Sequence, residues 1–251
     1  METTRSPFLG VINIIRFNWH FYLVALVGLG IVSFLLPFLP GPLYTIAKWG
    51  SILGVVSLLI TLMVSCYVYD ASDLYQLNFL PTSSLKSILN IHAGFDEISP
   101  ILKSKFPNGK LTICDFFNPE LHTEVSIKRA RKAYPPSANT IKVETNSLPF
   151  ADNSFDIIVA FLSAHEIRDE KERVTFFREL KRVSTPEGQI IVTEHLRDLP
   201  NFLAYNMGFF HFHAKSVWEN TFKQAGLRLG EEIKTTPFIS TFILSHHGNT
   251  P

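Results

Sequence analysis

Apolar residues fall in two different rhythms along this chain. Phe21 to Leu39 and Trp49 to Tyr69 contain no Asp, Glu, Lys or Arg. Each run is about long enough to cross a ~30 Å hydrocarbon layer as a helix, which predicts two membrane helices at about residues 20–39 and 49–69. Pro40-Gly41-Pro42 between them leaves room only for a hairpin turn. Trp19, Tyr22, Tyr44, Trp49, Tyr67 and Tyr69 gather near the ends of the runs, as aromatic residues do at membrane–water boundaries. A secretory signal fits less well, because the first run starts late, has no small-residue cleavage site and is followed by a second run.

From residue 86 onward short apolar runs alternate with helical patterns, and Asp70 to Ser84 reads as a linker over about 71–85. Strands are expected at 85–91, 110–115, 140–144, 155–161, 189–194, 227–234 and 238–245. Helices are expected at about 98–106, 118–133, 170–183 and 214–225. Asn118-Pro119-Glu120 supplies a cap, a first-turn proline and an early acid for the second of these helices. Pro186-Glu187-Gly188 reads as a turn, and Gly226 as the stop after the last helix. Phe155 to Phe161 is nearly continuous in apolar character, as suits a central strand covered on both faces. The alternation predicts an α/β domain over 86–251, with a Rossmann-like, doubly wound, mostly parallel seven-stranded sheet.

Composition adds limits. With 23 basic against 22 acidic side chains and a net charge of +1, there is no general attraction to nucleic acid. Cys66 and Cys114 each sit in apolar runs and read as buried thiols rather than a disulfide or a metal pair. Lys128, Arg129, Arg131 and Lys132 form a basic run on the 118–133 helix. It reads as a solvated face, with anionic lipid headgroups as the sharper alternative. Arg5 and Arg16 precede the first span and only Lys48 lies in the hairpin, so the charge bias favours an integral membrane protein with both ends cytoplasmic.

The stretch LPFADNSFDIIVAFLSAHEI, followed by FFRELKRVSTPEGQIIVTEH, resembles the second half of class I S-adenosylmethionine-dependent methyltransferases, in particular the small-molecule and quinone-type group. The resemblance covers about residues 86–246. In that family a loop of the form acid-x-Gly-x-Gly-x-Gly follows the first strand. The matching residues here are Asn90-Ile91-His92-Ala93-Gly94-Phe95-Asp96, which keep only the middle glycine. The resemblance implies S-adenosylmethionine as cofactor, held by Asn90, His92, Gly94, Asp115, Glu144, Thr145 and Ser163. Asp115 would take the ribose hydroxyls, and Glu144 with Thr145 the adenine.

Histidines and acids also gather where strands end: His165-Glu166, Glu194-His195 and His211-Phe212-His213. His165 or His213 is expected as a general base. His165, Glu166, Glu194, His195 and His211 are candidate ligands for a divalent metal, should one be used. The charge-free aromatic segment Asn201 to Phe212 reads as a lid over a hydrophobic substrate. Together these readings describe a membrane-anchored methyltransferase acting on a quinone precursor or lipid, with the bilayer as partner. Two alternatives stand beside it. One is metal-assisted substituent exchange on a quinone, as in the similar rhodoquinone-forming relative; the other is a non-catalytic binding module at the membrane. Oligomeric state is not legible.

Overall fold

Two antiparallel helices lead into an α/β sheet in the computed structural model, which describes residues 6–81 and 87–246. Helix α1 (Leu9–Leu35) and helix α2 (Gly41–Cys66) are joined through a 3-10 turn at Leu36–Phe38. Both are long and apolar enough to cross a membrane, with a mean hydropathy of 2.3 in their most apolar windows. They begin earlier than the charge-free runs. The first half of α1 is not free surface: Gly10, Asn13 and Phe17 are buried. At Asn18 the backbone leaves helical geometry (φ −115°, ψ 18°), and beyond this kink Phe21, Val24, Leu26, Ile31 and Phe34 are exposed. Arg5 lies outside the described residues.

The globular half follows in the order β1 (Ser87–His92), α3 (Ser99–Lys105), β2 (Lys110–Asp115), α4 (Val125–Ala133), β3 (Thr140–Lys142), β4 (Phe155–Phe161), α5 (Glu170–Val183), β5 (Ser184–His195), α6 (Leu199–Tyr205), α7 (Lys215–Gln224), β6 (Leu227–Thr236) and β7 (Ile239–His246). They form one seven-stranded sheet in the order β3-β2-β1-β4-β5-β7-β6. β1 to β5 are parallel, and β7 runs antiparallel to both β5 and β6. This is the expected doubly wound architecture.

Period-two alternation sends successive strand residues to opposite faces, and here both faces are apolar. Ile158 and Ala160 of β4 pack with Phe176, Phe177, Trp218 and Phe222 of α5 and α7. Ile157, Val159 and Phe161 pack on the other face with Ile98 and Leu102. The second core also contains Val68, Leu74, Leu77, Phe79 and Leu80. Within 71–81, expected as linker, Leu74, Leu77, Phe79 and Leu80 are therefore core; 82–86, including Leu85 and Lys86 of the expected first strand, lie outside the described residues.

Two other expectations need correction. Asn118 does not start a helix. Its Oδ1 accepts from the Glu120 N–H at 2.9 Å, and its own N–H donates to Nδ1 of buried His122 at 2.9 Å. A side chain that bonds its own neighbouring backbone competes with the helix, so α4 begins only at Val125. Pro186-Glu187-Gly188 does not separate two elements either. β5 runs through it, and the register against β4 jumps from Phe155–Ser184 to Ile157–Gln189. The extra residues are absorbed as a bulge, where a proline is tolerated within a strand. Gly226, at φ +71°, does end α7 as expected.

Candidate functional site

β1 and β4 lie side by side at the point where strand order reverses, the usual ligand position in an open α/β sheet. A small cleft opens there, lined by Asn90, His92, Phe95, Asp96, Phe161 and Leu162 among others. Gly94 follows β1 with φ +92°, a conformation glycine adopts freely. Its N–H donates to His92 Nδ1 at 2.8 Å, which leaves the hydrogen of the neutral imidazole on Nε2. Burial holds the His92 pKa down. Asn90 Nδ2 donates to Asp96 Oδ1 at 3.0 Å and to Ser99 Oγ at 2.8 Å. Asp96 Oδ1 also accepts from the N–H groups of Ile98 and Ser99, so this carboxylate anchors the loop to α3. Two buried atoms of cleft-lining residues have no hydrogen-bond partner: Asn90 Oδ1, an acceptor, and His92 Nε2, a donor that stands 4.0 Å from Asp96 Oδ2.

Asp115 ends β2 beside this loop, and one of its oxygens accepts from the Phe117 N–H at 2.9 Å. The other accepts from Arg131 Nη1 at 2.6 Å, and the guanidinium lies over the Phe117 ring, 4.4 Å from its centroid. Arg131 also fills the space over Gly94: a Cβ added there would come within 1.4 Å of its Nη1. The expected solvated basic face is thus only half right. Lys128 and Lys132 are exposed, while Arg129 and Arg131 are half-buried. Arg129 holds the Phe17 carbonyl and His20 of α1. Arg131 follows Ile127, which packs against the core, by one turn; that i,i+4 spacing is the sequence cue for its inward position.

Glu144 is exposed and makes only an isolated bridge to Ser147. Thr145 is buried and donates to Glu172 at 2.7 Å.

A second group of polar side chains lies where β4 and β5 end. Glu194 is completely buried. Its Oε1 accepts from the N–H groups of Ser163 and His165, both at 3.1 Å, and its Oε2 lies 2.6 Å from His165 Nδ1. Ser163 Oγ turns back to the Ile91 carbonyl at 3.3 Å. His165 Nε2 stands 3.5 Å from Glu166 Oε1, and His211 Nε2 stands 3.9 Å from the same oxygen. Glu124 and Arg168, neither expected from the sequence, engage the Nδ1 side of His211. Burial alone would lower the His165 pKa, but Glu194 and Glu166 outweigh it and push it up to about 10. Two carboxylates beside it favour the charged imidazolium, which works against the expected role of general base.

His195 does not join this group. Asn201 Oδ1 lies 3.0 Å from Nδ1 and the Tyr69 hydroxyl 2.7 Å from Nε2, and its ring stacks on Phe212 at 4.7 Å. Both nitrogens are used within the protein, which removes it from the candidate ligands. His213 is apart too, against Trp218 at 5.3 Å and with Arg173 Nη1 3.4 Å from its Nε2. Burial, and secondarily Arg173, lower its pKa to about 3.

Residues 90–192 match the family described as Methyltransferase domain. That stretch is similar to a methyltransferase domain. Its fold is shared by a SAM-dependent methyltransferase from Aquifex aeolicus, at 17% identity over 75% of this chain and 97% of that one (TM-score 0.52). Mitomycin 7-O-methyltransferase MmcR aligns at 14% identity over 97% of this chain and 74% of its own (TM-score 0.54). The PH0226 protein from Pyrococcus horikoshii OT3 aligns at 16% identity, covering 70% and 88% (TM-score 0.50). No curated protein sequence matches the chain.

Proposed function

We propose that the protein is a membrane-anchored methyltransferase that uses S-adenosylmethionine to methylate a hydrophobic small molecule, a quinone precursor or a lipid. The observation that carries this reading is the pair of orphaned atoms at the strand-reversal cleft. Asn90 Oδ1 and His92 Nε2–H are an acceptor and a donor buried without a hydrogen-bond partner, the latter 4.0 Å from Asp96 Oδ2, a costly state that a ligand relieves. An amino-acid group, with its ammonium and its carboxylate, satisfies both. Asp115 would hold the ribose hydroxyls once Arg131 turns out of the space over Gly94. When bound, the cofactor supplies an electrophilic methyl group on a sulfonium. The chain's own task is then alignment of the acceptor and exclusion of water.

The source of the acceptor follows from the lid segment. It forms α6 and a 3-10 turn at Asn206–His211, and both dock on α2: Thr61 Oγ1 donates to the Ala204 carbonyl at 2.7 Å, and Asn206 Nδ2 to Ser57 Oγ at 2.6 Å. Leu199, Leu203, Met207 and Phe210 of this segment stay exposed beside the apolar hairpin. A contiguous apolar surface of this kind suits contact with lipid. The domain would face the cytoplasm, on the side of Arg16 and opposite Lys48.

A second reading, a methyltransferase fold kept as a binding module, is favoured by the Arg131 guanidinium over Gly94. Calorimetric titration of S-adenosylmethionine into the detergent-solubilised full chain separates the two. The enzyme reading expects binding that weakens at least about tenfold in Asp115→Ala, a loss of about 1.4 kcal/mol, and tightens in Arg131→Ala. Absence of binding in both the wild type and Arg131→Ala would leave the module reading.

A further inference from the structure

We infer that His165, Glu166 and His211 bind one divalent first-row transition-metal ion, with Glu194 as the carboxylate that orients His165. Each of the three residues offers one ligand atom, and these atoms all lie within 4.8 Å of one another. Around a tetrahedral ion with bonds of about 2.1 Å, ligand atoms stand about 3.4 Å apart. His165 Nε2 and Glu166 Oε1 already stand 3.5 Å apart, and His211 Nε2 is 3.9 Å from that oxygen. Closing the site needs His211 to shift by about an ångström.

The surroundings point the same way. Metal-bound histidines use one nitrogen for the ion and the other for an acceptor that fixes the ring. His165 presents Nδ1 to Glu194 at 2.6 Å and so leaves Nε2 for the centre; His211 Nδ1 has both Arg168 Nη2 and Glu124 Oε1 beside it, and its Nε2 becomes a ligand when the ring hydrogen sits on Nδ1 toward Glu124. Glu166 is only 4% exposed, and its Oε2 has no hydrogen-bond partner. Among the described residues, no Lys or Arg lies within 4.0 Å of the carboxylates of Glu166 or Glu194. Two buried carboxylates with only imidazoles beside them form a setting in which a dication compensates both.

Two imidazoles and one carboxylate suit zinc, iron(II) or manganese(II) rather than magnesium or calcium, and leave a coordination position open. The site also joins separate parts of the chain. His211 ends the turn whose Asn206 is bonded to α2, while His165 and Glu166 follow β4. An ion would therefore tie the hairpin-docked segment to the end of the sheet. The site is independent of the cofactor cleft, so its test does not depend on S-adenosylmethionine.

The detergent-solubilised full chain, stripped with a chelator and titrated with cobalt(II), is read by elemental analysis and ligand-field absorption. About one ion per chain is expected, with absorption in the intense range of a low-coordinate nitrogen–oxygen site. Glu166→Gln and His211→Gln should each weaken binding at least about tenfold, and Glu194→Gln by about 10- to 100-fold, while the remote His246→Gln binds as the wild type does. Because a variant can fail to fold, melting of the wild type provides a second readout: cobalt should raise its Tm by mass action. Stoichiometry well below one with no change in wild-type Tm would overturn the site. So would wild-type affinity in folded Glu166→Gln and His211→Gln, or an equal loss in His246→Gln.

Discussion

Gly94 combines a φ of +92° with a neighbour, Arg131, whose guanidinium stands where a Cβ would go. Gly94→Ala should therefore cost about 1–2 kcal/mol from the left-handed backbone alone, with a further loss from displacing Arg131; urea unfolding of the detergent-solubilised chain measures it. The buried imidazoles give a second prediction. Burial lowers the His195 pKa from 6.5 to about 3, and His213 shifts likewise to about 3. The unfolded chain then takes up protons that the folded chain refuses, so stability falls as pH drops from about 6.5 toward 3. His165 has the opposite sign. Raised from 6.5 to about 10, it contributes fully below 6.5 and its contribution is lost as pH climbs toward 10. Urea midpoints between about pH 4 and about pH 9 should trace both slopes, and His195→Gln should flatten the acid one. An unchanged acid slope in that variant would exclude His195 as its source.

Between elements, Asp70 is the joint that fixes the start of α1. Its two carboxylate oxygens accept from the Gly10 and Val11 N–H groups at 2.7 and 2.9 Å, where the helix has unsatisfied donors and a positive end. Asp70→Ala should cost about 1 kcal/mol. Phe17→Ala should cost about 3 kcal/mol, because Phe17 packs edge-on against Phe95 and Tyr134; denaturant midpoints of both variants check these values. The elements that the sequence made legible carry their instructions locally. α5 is capped by Asp169, which accepts from the Glu172 N–H at 2.8 Å, and β4 is marked by its own nearly continuous apolar run. The illegible ones depend on distant partners. The 118–124 turn is held by buried His122, and Leu74, Leu77, Phe79 and Leu80 become core only because β1 and β4 offer them an apolar face. At the site, Asp115 at the end of β2 could be read from the chain. The inward turn of Arg131 and the separation of His195 from His165 depend on contacts that no local pattern encodes.

At the level of the whole molecule, the kink at Asn18 divides α1 into a docked half and an apolar half. Under the proposed two-pass anchoring, the hairpin tip and the sheet domain lie on opposite sides of the bilayer. In sealed proteoliposomes of a Cys66→Ser, Cys114→Ala background, a cysteine introduced by Gly41→Cys should react with an impermeant thiol reagent only in molecules whose domain is shielded from external protease. Labelling of the tip together with proteolysis of the domain in the same molecules would refute a two-pass arrangement. The packing of Val68, Leu74, Leu77, Phe79 and Leu80 under the sheet, with the Tyr69 hydroxyl on His195, also bears on how the protein can be handled. Trimming the chain at residue 85 would strip Val68, Leu74, Leu77, Phe79 and Leu80 from one face of the sheet and should lower solubility. The end of α2 and the sheet it packs under should melt in a single transition.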